Sequence, residues 1–137
     1  MPILHWQDTF ATGVQIIDDQ HRQIFQTINE LFDLLQSGAP LPQILDNLDF
    51  LVAYAVNHFQ TEESFMAESG YPDLSEHLDE HRRLVDRIHT IRARFKSPEP
   101  PTLPELSRMV SEWTSHHIGE VDMGYVSFLR RRSPGGS

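Results

Sequence analysis

Cysteine is absent from the chain. Disulfides, thiolate metal ligands and cysteine nucleophiles are therefore excluded, and a reducing compartment suits such a chain. Long apolar runs are absent too: none approaches the roughly 20 residues that a membrane span needs. The stretch Met1-Pro2-Ile3-Leu4-His5-Trp6-Gln7-Asp8 has no basic segment leading into an apolar one. No signal peptide is expected, and the cytoplasm is the expected location. Cations are scarce, with 11 Lys and Arg against 20 Asp and Glu and a net charge of -9. That balance argues against nucleic acid as a partner. The basic cluster Arg130-Arg131-Arg132 falls at the end of an expected helix, where cations oppose the negative end of the helix dipole. Residues 131–137 read as a flexible tail. At 137 residues the chain is expected to be one domain with a core of its own.

What is plentiful is histidine, eight in 137 residues. Two stretches concentrate it: His58-Phe59-Gln60-Thr61-Glu62-Glu63 and Glu76-His77-Leu78-Asp79-Glu80-His81. His58 and Glu62 are four apart, as are His77 and His81. On an α-helix that spacing puts both members of a pair on one face, one turn apart.

The apolar residues repeat at three and four throughout, with no competing strand pattern and no internal repeat. Residues 1–17 read as an irregular arm from which Trp6, Phe10, Val14, Ile16 and Ile17 dock on a core. Asp18 or Asp19 is the expected N-cap of a first helix over about 19–37, whose stripe is His21, Ile24, Phe25, Ile28, Leu31, Phe32 and Leu35. Gly38-Ala39-Pro40 ends it. A second helix over about 42–67 aligns Ile44, Leu48, Leu51, Ala55, His58, Glu62, Phe65 and Met66 on one face. Glu63 beside them is expected in solvent. After the turn Ser69-Gly70-Tyr71-Pro72-Asp73, an Asp73–Glu76 capping box opens a third helix over about 74–96 with His77, His81, Leu84, Ile88, Ile91 and Phe95 inward. Pro98, Pro100 and Pro101 break the chain. Thr102 and Glu105 form a second capping box before a fourth helix over about 103–130. Short connections make neighbours antiparallel, so the expected fold is all-α, an up-down-up-down four-helix bundle.

Every helix then carries inward groups of metal-ligand type: His21; His58 and Glu62; His77 and His81; His117 with a nearby carboxylate. A buried carboxylate is costly unless paired or metal-bound, and five buried imidazoles would each need a partner. Seven ligands suit two metal ions bridged by carboxylates, and imidazole suits iron, zinc, copper and nickel rather than magnesium or calcium. The usual di-iron carboxylate bundle has four glutamates and two histidines; this set is shifted towards nitrogen. On the fourth helix, turns of about 100° per residue bring Glu120 near His117 and leave Asp122 off to the side. Asp122 joins only if the helix is locally overfilled, as in a π-bulge, or broken near Gly119.

From Trp6 to about Tyr125 the chain resembles a bacterial hemerythrin. The resemblance is carried by Ile17-Asp18-Asp19-Gln20-His21, His58-Phe59-Gln60-Thr61-Glu62-Glu63, His77-Leu78-Asp79-Glu80-His81 and His117-Ile118-Gly119-Glu120-Val121-Asp122. The family's last motif, H-I-x-x-x-D, selects Asp122 over Glu120 and implies the bulge. The resemblance further implies a non-haem di-iron centre that binds O2. His77, His81 and His117 would hold one iron and His21 and His58 the other. Glu62 and Asp122 would bridge, with a solvent-derived oxygen as third bridge, and O2 would bind at an open position on the second iron. Phe25, Phe59, Trp113 and Ile118 are candidates to keep that region dry. Thr114, where an aliphatic residue is common, and His116 depart from the family pattern, and each would make the pocket more polar or add a proton source.

Four functions compete: an O2 carrier or store, a sensor of O2 or redox state, a di-iron enzyme acting on peroxide or NO, and a zinc or iron buffer. With no output domain after the fourth helix, carriage is expected over sensing, with no enzymatic role assigned and no protein partner identified.

Overall fold

The computed structural model describes Leu4, Trp6, Gln7 and residues 10–132, apart from the side chains of residues 119–121 and 132. Helix α1 spans Gln15–Gln36 and has Val14, not Asp18 or Asp19, at its N-cap. Asp18 acts instead from inside the first turn. Its Oδ1 accepts the Thr12 N–H at 2.9 Å and the Thr12 hydroxyl at 2.8 Å, which draws the arm back over the helix start. A carboxylate there also faces the positive end of the helix dipole. Helix therefore extends into what the sequence reads as arm. Trp6 and Phe10 dock on Phe25, with ring centroids 5.8 and 5.7 Å away. Asn29 straps the arm through both Leu4 backbone groups, at 2.8 and 2.9 Å. Ile17 is buried, but Ile16 is on the outer face and does not dock.

Helix α2 covers Leu41–Ser69 and ends on Gly70, whose φ of 71° only glycine adopts cheaply. The Tyr71 N–H then reaches back to the Met66 carbonyl at 2.9 Å and reverses the chain. Helix α3 spans Leu74–Phe95. The Asp73–Glu76 capping box does not form. Asp73 has φ -97° and ψ 21° rather than the extended backbone a capping side chain needs, and it makes no cap hydrogen bond. The Thr102–Glu105 box does form, in both directions, at 3.2 and 3.4 Å.

The fourth arm of the bundle has three parts: α4 over Leu103–Glu112, a π-helical segment over Trp113–Asp122, and α5 over Met123–Arg132. Arg131 and Arg132, expected in the tail, are helical; the rest of that expected tail, 133–137, lies outside the described residues.

The protein is an all-α four-helix bundle, and no strand occurs among the described residues. Its two halves differ in kind. One is apolar, with Ile24, Ile28 and Phe32 of α1, Leu48 and Leu51 of α2, Phe95 of α3 and Leu106 of α4 in one cluster. The other, built from the start of α1, the end of α2, the start of α3 and the π segment, holds the histidines. Burying each large apolar side chain contributes about 1.5–3 kcal/mol.

Candidate metal centre

His21, His58, His77, His81 and His117 are all at most 3% exposed, Glu62 is 1% and Asp122 2%. All seven sequence-nominated residues come together. Glu62 divides its oxygens. Oε1 faces His81 Nε2 at 3.0 Å and His77 Nε2 at 3.8 Å, while Oε2 faces His58 Nε2 at 3.5 Å and His21 Nε2 at 3.6 Å. Asp122 does the same. Oδ1 lies 3.2 Å from His77 Nε2 and 3.4 Å from His117 Nε2, and Oδ2 lies 3.3 Å from His21 Nε2. The atoms fall into two groups, Glu62 with His77, His81, His117 and Asp122, and Glu62 with His21 and His58, each within 4.8 Å.

Asp122 reaches this position because of the π segment. Its i→i+5 hydrogen bonds bring residues five apart onto one face, and Asp122 is five after His117. In an α-helix the two would be about 140° apart. Glu120, favoured by α-periodicity, has no described side chain.

The inward atoms lack protein partners. Nε2 of all five histidines, Oε1 of Glu62 and both oxygens of Asp122 are buried without a hydrogen bond. Such atoms are rare in native interiors and call for an ion. Imidazole nitrogens and carboxylate oxygens are the donor set for iron or zinc, so the residues fit the inferred pair.

Without metal the cluster organises its own charge. Burial opposes the charge on His77, but the carboxylates of Asp122 and Glu62, 3.2 and 3.8 Å from its Nε2, outweigh it and raise its pKa to about 9. Burial and Asp122 push Glu62 up, yet His77, His81 and His58 bring it down to about 2. Burial lowers His58 to about 4 and also lowers His117, while Asp122 and Glu62 overcome burial to raise His21. Metal must displace the protons on the raised histidines, so its affinity depends on pH.

The outward Nδ1 atoms show what the sequence reading missed. His81 Nδ1 donates to Glu63 Oε2 at 2.8 Å, so Glu63 is not simply in solvent; it shares a helix face with Phe59, four residues earlier, and that spacing was the available signal. His58 Nδ1 donates to Gln20 Oε1 at 2.8 Å. Gln20 is a polar residue on the Ile17–Ile24 stripe, also a legible sign.

Phe59 stacks on His81 at 4.0 Å, Phe25 and Trp113 meet at 5.8 Å, and Ile118 is fully buried. From Phe59 and Trp113 an apolar cavity of about 100 Å³ runs into the other half of the bundle between Ala55, Leu48, Leu84 and Ile88. Neither sequence departure makes this wall polar. The Thr114 hydroxyl is bound to the Val110 carbonyl at 2.9 Å, and His116 lies at the surface, 3.9 Å from Glu80.

The Hemerythrin HHE cation binding domain matches residues 12–129. The chain belongs to the hemerythrin family. It is 37% identical to a bacteriohemerythrin of Pseudomonas aeruginosa (strain LESB58) over 95% of this chain and 84% of that one. A bacteriohemerythrin of Methylococcus capsulatus is 35% identical over 91% and 95%. A myohemerythrin of Theromyzon tessulatum is 28% identical over 90% and 92%. The crystal structure of a wild-type hemerythrin superposes with a TM-score of 0.79 at 34% identity, covering 90% of this chain and 95% of that one. This hemerythrin-family chain thus combines the bundle with a buried His/Glu/Asp cluster suited to cations. Among its described residues no helix is long and apolar enough to cross a membrane.

Proposed function

We propose that the chain binds O2 reversibly at a non-haem di-iron centre, for carriage or storage, in the cytoplasm. The observation that carries the reading is the division of each carboxylate. Glu62 and Asp122 each turn one oxygen to the His77 group and the other to the His21 group. That is the arrangement two bridging ligands require, and a single-metal buffer site would not use it. His77, His81 and His117 would hold one iron, and His21 and His58 the other. When bound, the iron pair supplies the two electrons that O2 takes up on binding and returns on release.

The protein's own part is to bind and to exclude. Five neutral imidazoles and two carboxylates leave the pair less anionic than a glutamate-rich site would, which favours return of the electrons over oxidation of a substrate. Phe59, Phe25, Trp113 and Ile118 keep water from the reacting atoms. The apolar cavity offers an uncharged diatomic gas a dry place beside the site. Arg87 is the charged group among the residues that line the cavity, and a guanidinium keeps its proton at neutral pH.

The test is an optical cycle: reduce the iron-loaded protein without air, admit O2, remove it, and repeat. A charge-transfer band that appears and disappears through several cycles is the expected result. A band that forms once and decays to a permanently oxidised protein would overturn reversible binding in favour of sensing or peroxide- or NO-directed catalysis.

A further inference from the structure

Two histidines, one from each metal group, carry different outer partners. Glu63 Oε2 accepts from His81 Nδ1 at 2.8 Å, and Gln20 Oε1 accepts from His58 Nδ1 at 2.8 Å. Geometrically the contacts are equal; chemically they are not, because one acceptor is a carboxylate and the other an uncharged amide. Neither is interchangeable with a donor. A carboxylate only accepts. Gln20 has its amide N–H committed to Thr61 Oγ1 at 3.3 Å, and that hydroxyl donates to the Asn57 carbonyl at 3.0 Å. This chain of bonds fixes the amide oxygen towards His58. Both rings thus use Nδ1 as the outward donor and turn Nε2 inward, towards the metal positions.

We propose that Glu63 and Gln20 are positioning residues that make the two metal positions electronically unequal. Glu63 strengthens His81 as a donor and favours the higher oxidation state in the three-histidine position, while Gln20 leaves the two-histidine position the poorer donor. An anionic acceptor on Nδ1 shifts electron density through the ring to Nε2, as in other carboxylate–histidine–metal arrangements. An amide does so far less. The placement of the carboxylate suits the task. Glu63 is 26% exposed and lines an open cleft with Gln60, Leu78 and Arg82, so its charge reaches water while His81 remains 3% exposed.

This inference rests on the di-iron reading, and the experiment separates the two. The midpoint potential of the iron-loaded protein is measured by spectroelectrochemistry with one-electron mediators, beside iron content and thermal stability. Glu63→Gln keeps shape and hydrogen bond but removes the charge; Gln20→Glu adds a charge at the other position. The expected result is opposite shifts, upward for Glu63→Gln and downward for Gln20→Glu. Each should change the oxidised-to-reduced ratio at fixed potential about tenfold, or about 59 mV for one electron. A merely structural role would move stability and leave the potential alone. Glu63→Gln that holds two irons at an unchanged potential would overturn the proposal. If that variant holds fewer than two, Gln20→Glu decides: a lowered potential supports the proposal and an unchanged or raised one overturns it. Wild-type protein that takes up no iron would sink the di-iron reading and this inference together.

Discussion

Removing the metal should turn a flat stability profile above neutral pH into one that falls as the pH rises. In the metal-free protein His77 titrates at about 9 instead of 6.5. Between those values only the folded state holds the proton. The resulting stability is complete below pH 6.5 and lost as the pH rises through about 9. Each pH unit over which one state alone binds a proton is worth about 1.4 kcal/mol, so the whole interval is worth about 3 kcal/mol. His58 runs the other way. Its pKa of about 4 means that between about 4 and 6.5 only the unfolded chain is protonated, and stability falls by a similar amount as the pH drops through that range. His21, raised, and His117, lowered, act in the same two senses. The metal-free protein should therefore be most stable near pH 6.5. With metal bound the ligands carry no proton, and nothing at the site is lost above pH 6.5. Urea unfolding at pH 6.5 and 9, with chelated and with zinc-loaded protein, measures the difference. His77→Asn is the control and should flatten the metal-free slope. Equal metal-free stability at both pH values, or an unchanged slope in His77→Asn, would refute the reasoning.

Other outcomes follow from single contacts. His77→Ala should lose metal and with it much stability, whereas His89→Ala, at an exposed position, should keep full metal content by elemental analysis. Phe59→Ala removes a 5% exposed ring stacked on His81 and should cost about 3–5 kcal/mol in chemical denaturation, with faster autoxidation of the O2-bound protein. Thr102→Ala breaks the reciprocal capping box of α4 and should cost about 1 kcal/mol while leaving iron content unchanged.

The bundle was legible because its helices obey one period: the stripes of α1, α2 and α3 place His21, His58, Glu62, His77 and His81 with their apolar neighbours. Asp122 was not legible from that period. The π segment changes the angle per residue just where the last ligand is needed, and only the H-I-x-x-x-D resemblance pointed to it. Asp18 was misread because a cap is sought before the first turn, while this carboxylate acts from within it on Thr12. Glu63 was set aside because a charged residue beside a buried one normally faces water; its spacing from Phe59 was the local sign of an inward lean, while its partner, His81 Nδ1, depends on how α2 and α3 face each other.

Anomalous diffraction at the iron edge from crystals of the iron-loaded protein tests the central claim most directly. The account predicts two peaks per chain a few ångströms apart, one among His77, His81 and His117 and one between His21 and His58, with Glu62 and Asp122 each touching both. A single peak, or two peaks with either carboxylate bound to only one, would contradict it.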